Sequence, residues 1–435
     1  MMKICMIGTG YVGLVSGTCF ADIGHQVYCV DNDVSKIKKL NYGISPIYEP
    51  GLDELIQKNY KAKRLTFTTN LKKAITASDI IFICVGTPNI KGSLKVDLRY
   101  VFKCTKEILS ITKKKKIIVT KSTVPVGTGD QIENIIKKKR KLFSVISNPE
   151  FLREGEAIRD FRYPDRIIIG SNSKNEFKIM KKLYSPLINK GAKFFITSRR
   201  GAELIKYAAN AFLATKITFI NEIANLCEKS GINIEDIALG IGSDTRIGSR
   251  FLRPGPAYGG SCFPKDTKGL VSVAEKFKTN LSIVKSVIKS NQDRVNLLIK
   301  RVHKILGNNL RGKKISILGV TFKPNTDDMR DSTSLKMLPY LSKKGAIISY
   351  YDPSGEKNEF KNLLNCTFKK NIKENCLNAD LIILLTEWDE FKSIDFKQAV
   401  KKKNFKIYDL RNIYTGEEMM RNKIKYYSIG RPDIN

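Results

Sequence analysis

The sequence predicts an α/β protein: two doubly wound parallel-sheet domains joined by a long central helix and an all-α segment. Three observations predict it. An apolar strand run, Lys3–Ile7, leads straight into a glycine turn. A second strand run of the same kind begins at Lys314. Between them, from about Arg199 to Asn296, the apolar spacing becomes helical, and Glu203 to Lys229 contains no Gly or Pro. The expected domains are therefore 1–198, 199–297 and 298–435.

In the first domain, Gly8-x-Gly10-x-x-Gly13 separates the opening strand from an apolar helix that reaches about Ile23. Gln26 to Asp31 reads as the next strand. This is a dinucleotide fingerprint in the context it requires, a Rossmann-like unit. The glycines permit a tight turn and let a pyrophosphate approach the backbone at Tyr11 and Val12, where the helix opens. Asp31 follows Gly13 by 18 residues, where a carboxylate holds both ribose hydroxyls of NAD and repels a 2′-phosphate. Lys36 is within reach of the adenosine end, and a solvated helix lysine reads equally well there.

Three further strand runs end in turns: Ile80–Val85 in Gly86-Thr87-Pro88, Lys116–Thr120 in Lys121-Ser122-Thr123, and Ser144–Ser147 in Asn148-Pro149-Glu150. Ligands of open α/β sheets sit at the carboxyl ends of the strands, so each turn is a candidate wall of the site. Lys206 and Asn210 lie one turn apart on the long helix and face the same way. The second α/β region continues through Ile347–Asp352, Leu381–Leu385 and Phe405–Asp409. It has Gly319-Val320-Thr321-Phe322-Lys323 in place of the fingerprint, so it is expected to bind a nucleotide differently, or not to bind one.

The chemistry is concentrated at Gly259-Gly260-Ser261-Cys262-Phe263-Pro264-Lys265-Asp266. Pro264 suits the first turn of a helix. Cys262 then sits at the positive end of that helix and close to Lys265, and both favour a nucleophilic thiolate. Asp266, one turn on, is placed to handle protons or water.

Composition excludes several classes. The 435 residues are 42% hydrophobic and 27% charged, too long for one ordinary domain. No apolar run reaches the roughly 18 residues of a membrane span. A strand begins almost at the first residue, which leaves no room for a signal peptide and predicts a cytoplasmic protein. The nine cysteines form no C-x-x-C pair, and there are only two histidines, so neither a disulfide framework nor a metal site is expected. The net charge of +35 is spread in short lysine runs without interleaved aromatics. It reads as solvated surface with a general attraction to small anions, and no nucleic-acid partner is expected.

Together these motifs resemble the nucleotide-sugar 6-dehydrogenases, over almost the entire chain. Besides the segments above, the resemblance rests on Tyr48-Glu49-Pro50-Gly51-Leu52, Ser122-Thr123-Val124-Pro125-Val126-Gly127, Asn148-Pro149-Glu150-Phe151-Leu152-Arg153-Glu154-Gly155, and Phe322-Lys323 with Asp327 and Arg330. The 148–155 and 164–170 segments look like the branch acting on UDP-glucose, with GDP-mannose or a UDP-N-acetylhexosamine as the alternative substrate. The resemblance implies two successive hydride transfers to NAD⁺, with Cys262 forming first a thiohemiacetal and then a thioester that water cleaves. It implies that Lys206 and Asn210 steady developing negative charge, and that Asp266, Thr123 and Glu150 place and activate water. It gives Gly86, Thr87, Thr123, Glu154, Lys265 and Arg330 to the cofactor. To the substrate it gives Glu150, Phe151, Leu152, Arg153, Glu154, Lys206, Asn210, Phe322 and Lys323, together with Phe251, Leu252, Arg253, Tyr258 and Gly259 of a wrapping loop. Arg246 is implied to reach the substrate of a neighbouring subunit, which makes a homodimer the expected minimum. A two-electron β-hydroxyacid dehydrogenase shares the fingerprint and the Lys-x-x-x-Asn helix, but has no use for Cys262 or a second α/β domain.

Overall fold

Short apolar runs flanked by glycine turns form the strands of two separate sheets. The computed structural model describes residues 1–139 and 141–434. The first sheet has eight strands: β1 (Lys3–Ile7), β2 (Gln26–Val30), β3 (Leu65–Thr68), β4 (Ile80–Ile83), β5 (Lys116–Thr120), β6 (Phe143–Ser147), β7 (Arg166–Gly170) and β8 (Lys193–Thr197). Their spatial order is 3-2-1-4-5-6-7-8. All pairings are parallel except β6 with β7. The order reverses between β1 and β4, and a crevice opens at such a switch point.

The second sheet has six strands: β9 (Lys314–Leu318), β10 (Ile347–Tyr351), β11 (Cys366–Phe368), β12 (Leu381–Leu384), β13 (Lys406–Asp409) and β14 (Lys425–Ser428). Its order, 3-2-1-4-5-6 counted from β9, repeats that of the first six strands, and every pairing is parallel. Two doubly wound sheets were expected, and two are present.

Six helices matter for function: α1 (Tyr11–Asp22), α2 (Thr128–Ile136), α3 (Ala157–Arg162), α4 (Arg199–Ser230), α5 (Phe263–Lys276) and α6 (Ser282–Leu306). The chain divides into two units, Met1–Ala209 with Lys268–Asn280, and Asn210–Thr267 with Leu281–Asn435. The division falls inside α4 and inside α5, so the stretch 199–297 is shared between the units.

No helix of the described residues is long and apolar enough to cross a membrane. The lysine runs behave largely as surface: Lys113–Lys115, Lys137–Lys139 and Lys401–Lys403 are exposed, whereas Lys116, expected on the surface with its run, opens β5 and is buried.

One buried carboxylate shows how the first unit is braced. Glu203 on α4 accepts the N–H groups of Gly127 (2.7 Å) and Gly129 (2.8 Å) and the hydroxyl of Ser147 (3.1 Å). These amides flank the start of α2, so Glu203 caps that helix from outside it. Burial pushes its pKa up to about 7, against the pull of the three hydrogen bonds. The folded value lies above the unfolded one of ~4.3, so the stability linked to this group is complete below ~4.3 and is lost as pH rises. Urea unfolding is expected to show the wild type losing stability relative to Glu203→Gln between about pH 5 and pH 7. Parallel pH profiles for the two proteins would contradict this.

Candidate active site

In the first unit the fingerprint glycines fit a dinucleotide. A Cβ on Gly13 would lie 1.9 Å from the Gly8 carbonyl oxygen, so the turn and α1 can approach this closely only through glycine. Gly8 itself has φ +100°, in the region that favours glycine. A Cβ on Gly10 would meet nothing within 4 Å. Gly10 is the N-cap of α1 and no side chain caps the helix there, which leaves its first amides facing open space. Asp31 follows β2 and takes Thr9 N and Thr9 Oγ1 on Oδ2 (both 2.8 Å) and Asp33 N on Oδ1 (3.0 Å). Burial pushes its pKa up, but these bonds and the charge of Lys36 outweigh burial and hold it below the usual range. Asp31 therefore stays an anion while it shapes the phosphate loop.

The strand-end turns of this unit are tied to one another. Thr87 Oγ1 donates to the Thr123 carbonyl (2.8 Å) and Ser122 Oγ to the Val85 carbonyl (2.7 Å), which joins the turns after β4 and β5. Tyr11 of α1 donates to Glu49, whose carboxylate also accepts Gly155 N (2.6 Å) and Ala157 N (2.7 Å) at the start of α3. Glu49 thereby anchors the 151–156 turn beside the phosphate loop. Beyond β6, Glu150 is buried, accepts Leu152 N, and pairs with the buried Lys206 ammonium at 3.3 Å. Lys206 also lies 5.1 Å from the centre of the Phe151 ring. Below this pair, Lys121 reaches Tyr184 Oη (3.5 Å), and Tyr184 donates to Asn148 (2.6 Å). Burial holds the Lys121 pKa below the usual lysine value.

In the second unit Cys262 is the N-cap of α5: its carbonyl accepts Asp266 N at 2.8 Å. It is half-buried, with Ser261 Oγ 3.4 Å from its sulfur. The other eight cysteines are all raised in pKa by burial, Cys104 and Cys376 to about 11, and remain thiols at neutral pH. Asp266 is fully buried; Asn210 Nδ2 donates to it at 2.6 Å and Lys265 forms an ion pair with it. An amide from α4 and an ammonium from its own helix thus fix this carboxylate one turn above the thiol.

The expected wrapping loop also lies in this unit. Phe251 has φ +66°, and its ring faces Phe263 at 6.3 Å. Leu252 is buried, and Tyr258 packs edge-on to Phe263 at 6.1 Å. Gly259 approaches the Asp331 carbonyl so closely that a Cβ would lie 2.4 Å from it. Lys323 lies 5.5 Å from the centre of the Phe322 ring, and Arg253 donates to the Arg411 carbonyl (3.2 Å). Three arginines expected at ligands are held by nearby carboxylates: Arg153 by Asp160 (2.7 Å), Arg246 by Asp244 (2.6 Å) and Arg330 by Asp328 (2.8 Å).

Each unit thus gathers its own part of the expected set. Glu150, Phe151 and Lys206 come together in the first, and Asn210, Cys262, Lys265 and Asp266 in the second. Sequence reasoning missed Asn221 and Arg294, buried polar groups on helices, and the half-buried Asn291. Only their burial distinguishes them from surface residues, and no local pattern encodes it.

Comparison with known proteins fits this geometry. Three domain models of the UDP-glucose/GDP-mannose dehydrogenase family match: its NAD binding domain over residues 2–188, its central domain over 200–293 and its UDP binding domain over 316–416. The chain belongs to this family. It is 49% identical over 437 residues to the UDP-glucose 6-dehydrogenase of Rhizobium meliloti, covering 99% of this chain and 100% of that one. It is 44% identical to UDP-glucose 6-dehydrogenase TuaD of Bacillus subtilis, covering 100% of this chain and 94% of that one. Among solved structures, a UDP-glucose dehydrogenase from Pyrobaculum islandicum superposes with TM-score 0.90 at 32% identity, covering 99% and 98% of the two chains. The family's NAD binding domain thus coincides with the unit in which the glycine cradle was found.

The glycines separate fold from binding. Gly13→Ala is expected to cost about 3 kcal/mol of stability through overpacking. Gly10→Ala is expected to unfold like the wild type and to weaken NAD⁺ binding roughly tenfold or more, measured by fluorescence titration. Unchanged NAD⁺ affinity in Gly10→Ala would contradict the cradle.

Proposed function

We propose that this chain is an NAD-dependent dehydrogenase that oxidises C6 of UDP-glucose twice, giving UDP-glucuronate from one sugar nucleotide, two NAD⁺ and one water. The observation that carries the reading is Cys262: a half-buried residue at the N-cap position of α5, one turn before a buried Asp266 held by Asn210. An alcohol-to-carbonyl dehydrogenase has no use for such a thiol. An enzyme that removes four electrons from one carbon needs it, because the adduct retains the aldehyde and exposes a carbon that can be oxidised again.

When bound, NAD⁺ accepts one hydride in each oxidation. Gly8, Gly10 and Gly13 with the start of α1 hold its pyrophosphate, and Asp31 its ribose. The alcohol proton leaves to a carboxylate as the aldehyde forms, and the Lys206 ammonium and the Asn210 amide steady the alkoxide. Cys262 Sγ adds to the aldehyde carbon and the carbonyl oxygen takes a proton, giving a thiohemiacetal. Loss of hydride and of that proton gives a thioester. Water then adds to the acyl carbon, the C–S bond breaks, and the thiol is regenerated. Asp266, Glu150 and Thr123 place this water and take its proton. The pairing of Glu150 with Lys206 fixes the position of the ammonium for this work.

The relatives' shared name supports UDP-glucose over GDP-mannose or a UDP-N-acetylhexosamine. A homodimer is supported by exposed Phe212, Phe219 and Leu226, seven residues apart on α4, which form an apolar stripe. A cytoplasmic location is supported by eight cysteines that burial holds as thiols.

Counting NADH against UDP-glucose consumed tests the reading. The wild type is expected to give two NADH per sugar, and Cys262→Ser to lose that second oxidation. Lys206→Met is expected to lower kcat roughly 10²–10³-fold. One NADH per sugar in the wild type would reduce the protein to an alcohol dehydrogenase. Two NADH from another nucleotide sugar, with none from UDP-glucose, would keep the mechanism and change the substrate.

A further inference from the structure

The 253–258 segment hangs on side chains. Among the described residues, no backbone–backbone hydrogen bond begins or ends within it. The backbone groups of Gly255, Pro256 and Tyr258 go instead to three side chains of α4 and α6. Asn221 of α4 accepts Gly255 N (2.9 Å) and donates to the Pro256 carbonyl (3.5 Å). Asn291 of α6 accepts Tyr258 N (2.8 Å) and donates to the Tyr258 carbonyl (3.0 Å), holding both faces of one residue as a neighbouring strand would. Arg294, one turn further along α6, donates Nε to the Gly255 carbonyl (2.7 Å) and Nη1 to the Asn221 carbonyl and Asn225 Oδ1 (both 3.2 Å).

Asn221 and Arg294 are buried, at 2% and 4% exposure, so water offers no substitute for these bonds. Burial lowers the Arg294 pKa to about 10, which leaves it a cation at neutral pH. The only carboxylate lining the small cavity at its head is Glu222, which accepts the hydroxyl of Ser290. A buried guanidinium committed to two backbone carbonyls and an amide, rather than to a carboxylate, is costly to keep for packing alone. Just before the held segment, Phe251 sits at positive φ, a conformation that persists only where its surroundings enforce it.

We infer that Asn221, Asn291 and Arg294 are positioning residues for the sugar nucleotide: they set the backbone of 253–258 so that its peptide groups meet the substrate without further ordering. None of the three touches the reacting carbon; they act through the loop. The inference rests on the proposed function, together with the substrate-wrapping role that the family resemblance implies for this loop. A preformed loop spares the substrate the entropy of ordering it, so loss of a bracket residue weakens binding and leaves the chemical step intact.

The test compares Asn291→Ala and Asn291→Asp with the wild type in full-length protein. Asn291→Ala is expected to raise KM for UDP-glucose about tenfold while kcat and KM for NAD⁺ change less than about twofold. Asn291→Asp keeps an acceptor for Tyr258 N and is expected to recover part of the loss. Hydrogen exchange of 254–260 is expected to rise in both, and more in the alanine variant. A structural role alone would lower thermal stability and leave KM of the folded enzyme unchanged. Wild-type KM for UDP-glucose in folded Asn291→Ala, or an equal rise in KM for NAD⁺, would overturn the inference. If Asn291→Ala does not fold, the same two readings in Asn291→Asp decide it. Failure of the wild type to oxidise UDP-glucose would instead overturn the proposed function, so the two failures are distinguishable.

Discussion

A buried polar group on a helix must find a partner, and α4 carries one such group for nearly every loop that matters. Glu203, Lys206, Asn210 and Asn221 recur at roughly helical spacing on its buried side. Each is satisfied by a different part of the chain. Glu203 caps α2, Lys206 pairs with Glu150, Asn210 bonds Asp266, and Asn221 holds Gly255. An apolar residue at any of these positions would leave its loop to water and thermal motion. Within each unit, the polar residues of this helix hold the loops that carry the chemistry. A helix of this kind gains little from propensity and much from being fully satisfied.

The two sheets share more than strand order. Each puts an acidic residue just after its second strand and turns it back onto the loop after its first. Asp31 takes Thr9 N, and Asp352 takes Val320 N (2.8 Å) and Thr321 N (3.2 Å). The first sheet adds the Gly8-x-Gly10-x-x-Gly13 turn, and the second does not. Asp409, the last residue of β13, adds a further knot: it is fully buried and accepts Arg411 N (2.9 Å), Ile413 N (2.7 Å) and Tyr426 Oη (2.8 Å). Arg411 then donates to the Phe322 carbonyl at 2.8 Å. The same architecture thus supports two different loop chemistries.

Local chemistry was legible in the sequence, and its partners were not. The fingerprint, Asp31, and Cys262 before a helix-opening proline were readable because neighbouring residues define their conformation. The strands at Leu65–Thr68, Arg166–Gly170, Lys193–Thr197, Cys366–Phe368 and Lys425–Ser428 were not recognised. Each is only three to five residues long, and Lys193–Thr197 is largely exposed, so the apolar signal is short or weak. Glu49 was noticed only as part of a motif; that it anchors Gly155 and Ala157 depends on residues more than 100 positions away. Asn291 and Arg294 look like any polar pair on an amphipathic helix, because sequence spacing does not reveal which face is covered. The local pairing of Arg153, Arg246 and Arg330 with carboxylates was equally invisible.

The central claim is that the sugar passes through a covalent bond to Cys262. Mass spectrometry of protein quenched in acid during turnover with UDP-glucose and NAD⁺ tests it most directly. An acyl adduct of the sugar nucleotide is expected on the peptide containing Cys262, in larger amount in Asp266→Asn, where the water step is slowed. An unmodified Cys262 peptide in both proteins, while two NADH per sugar are being formed, would contradict it.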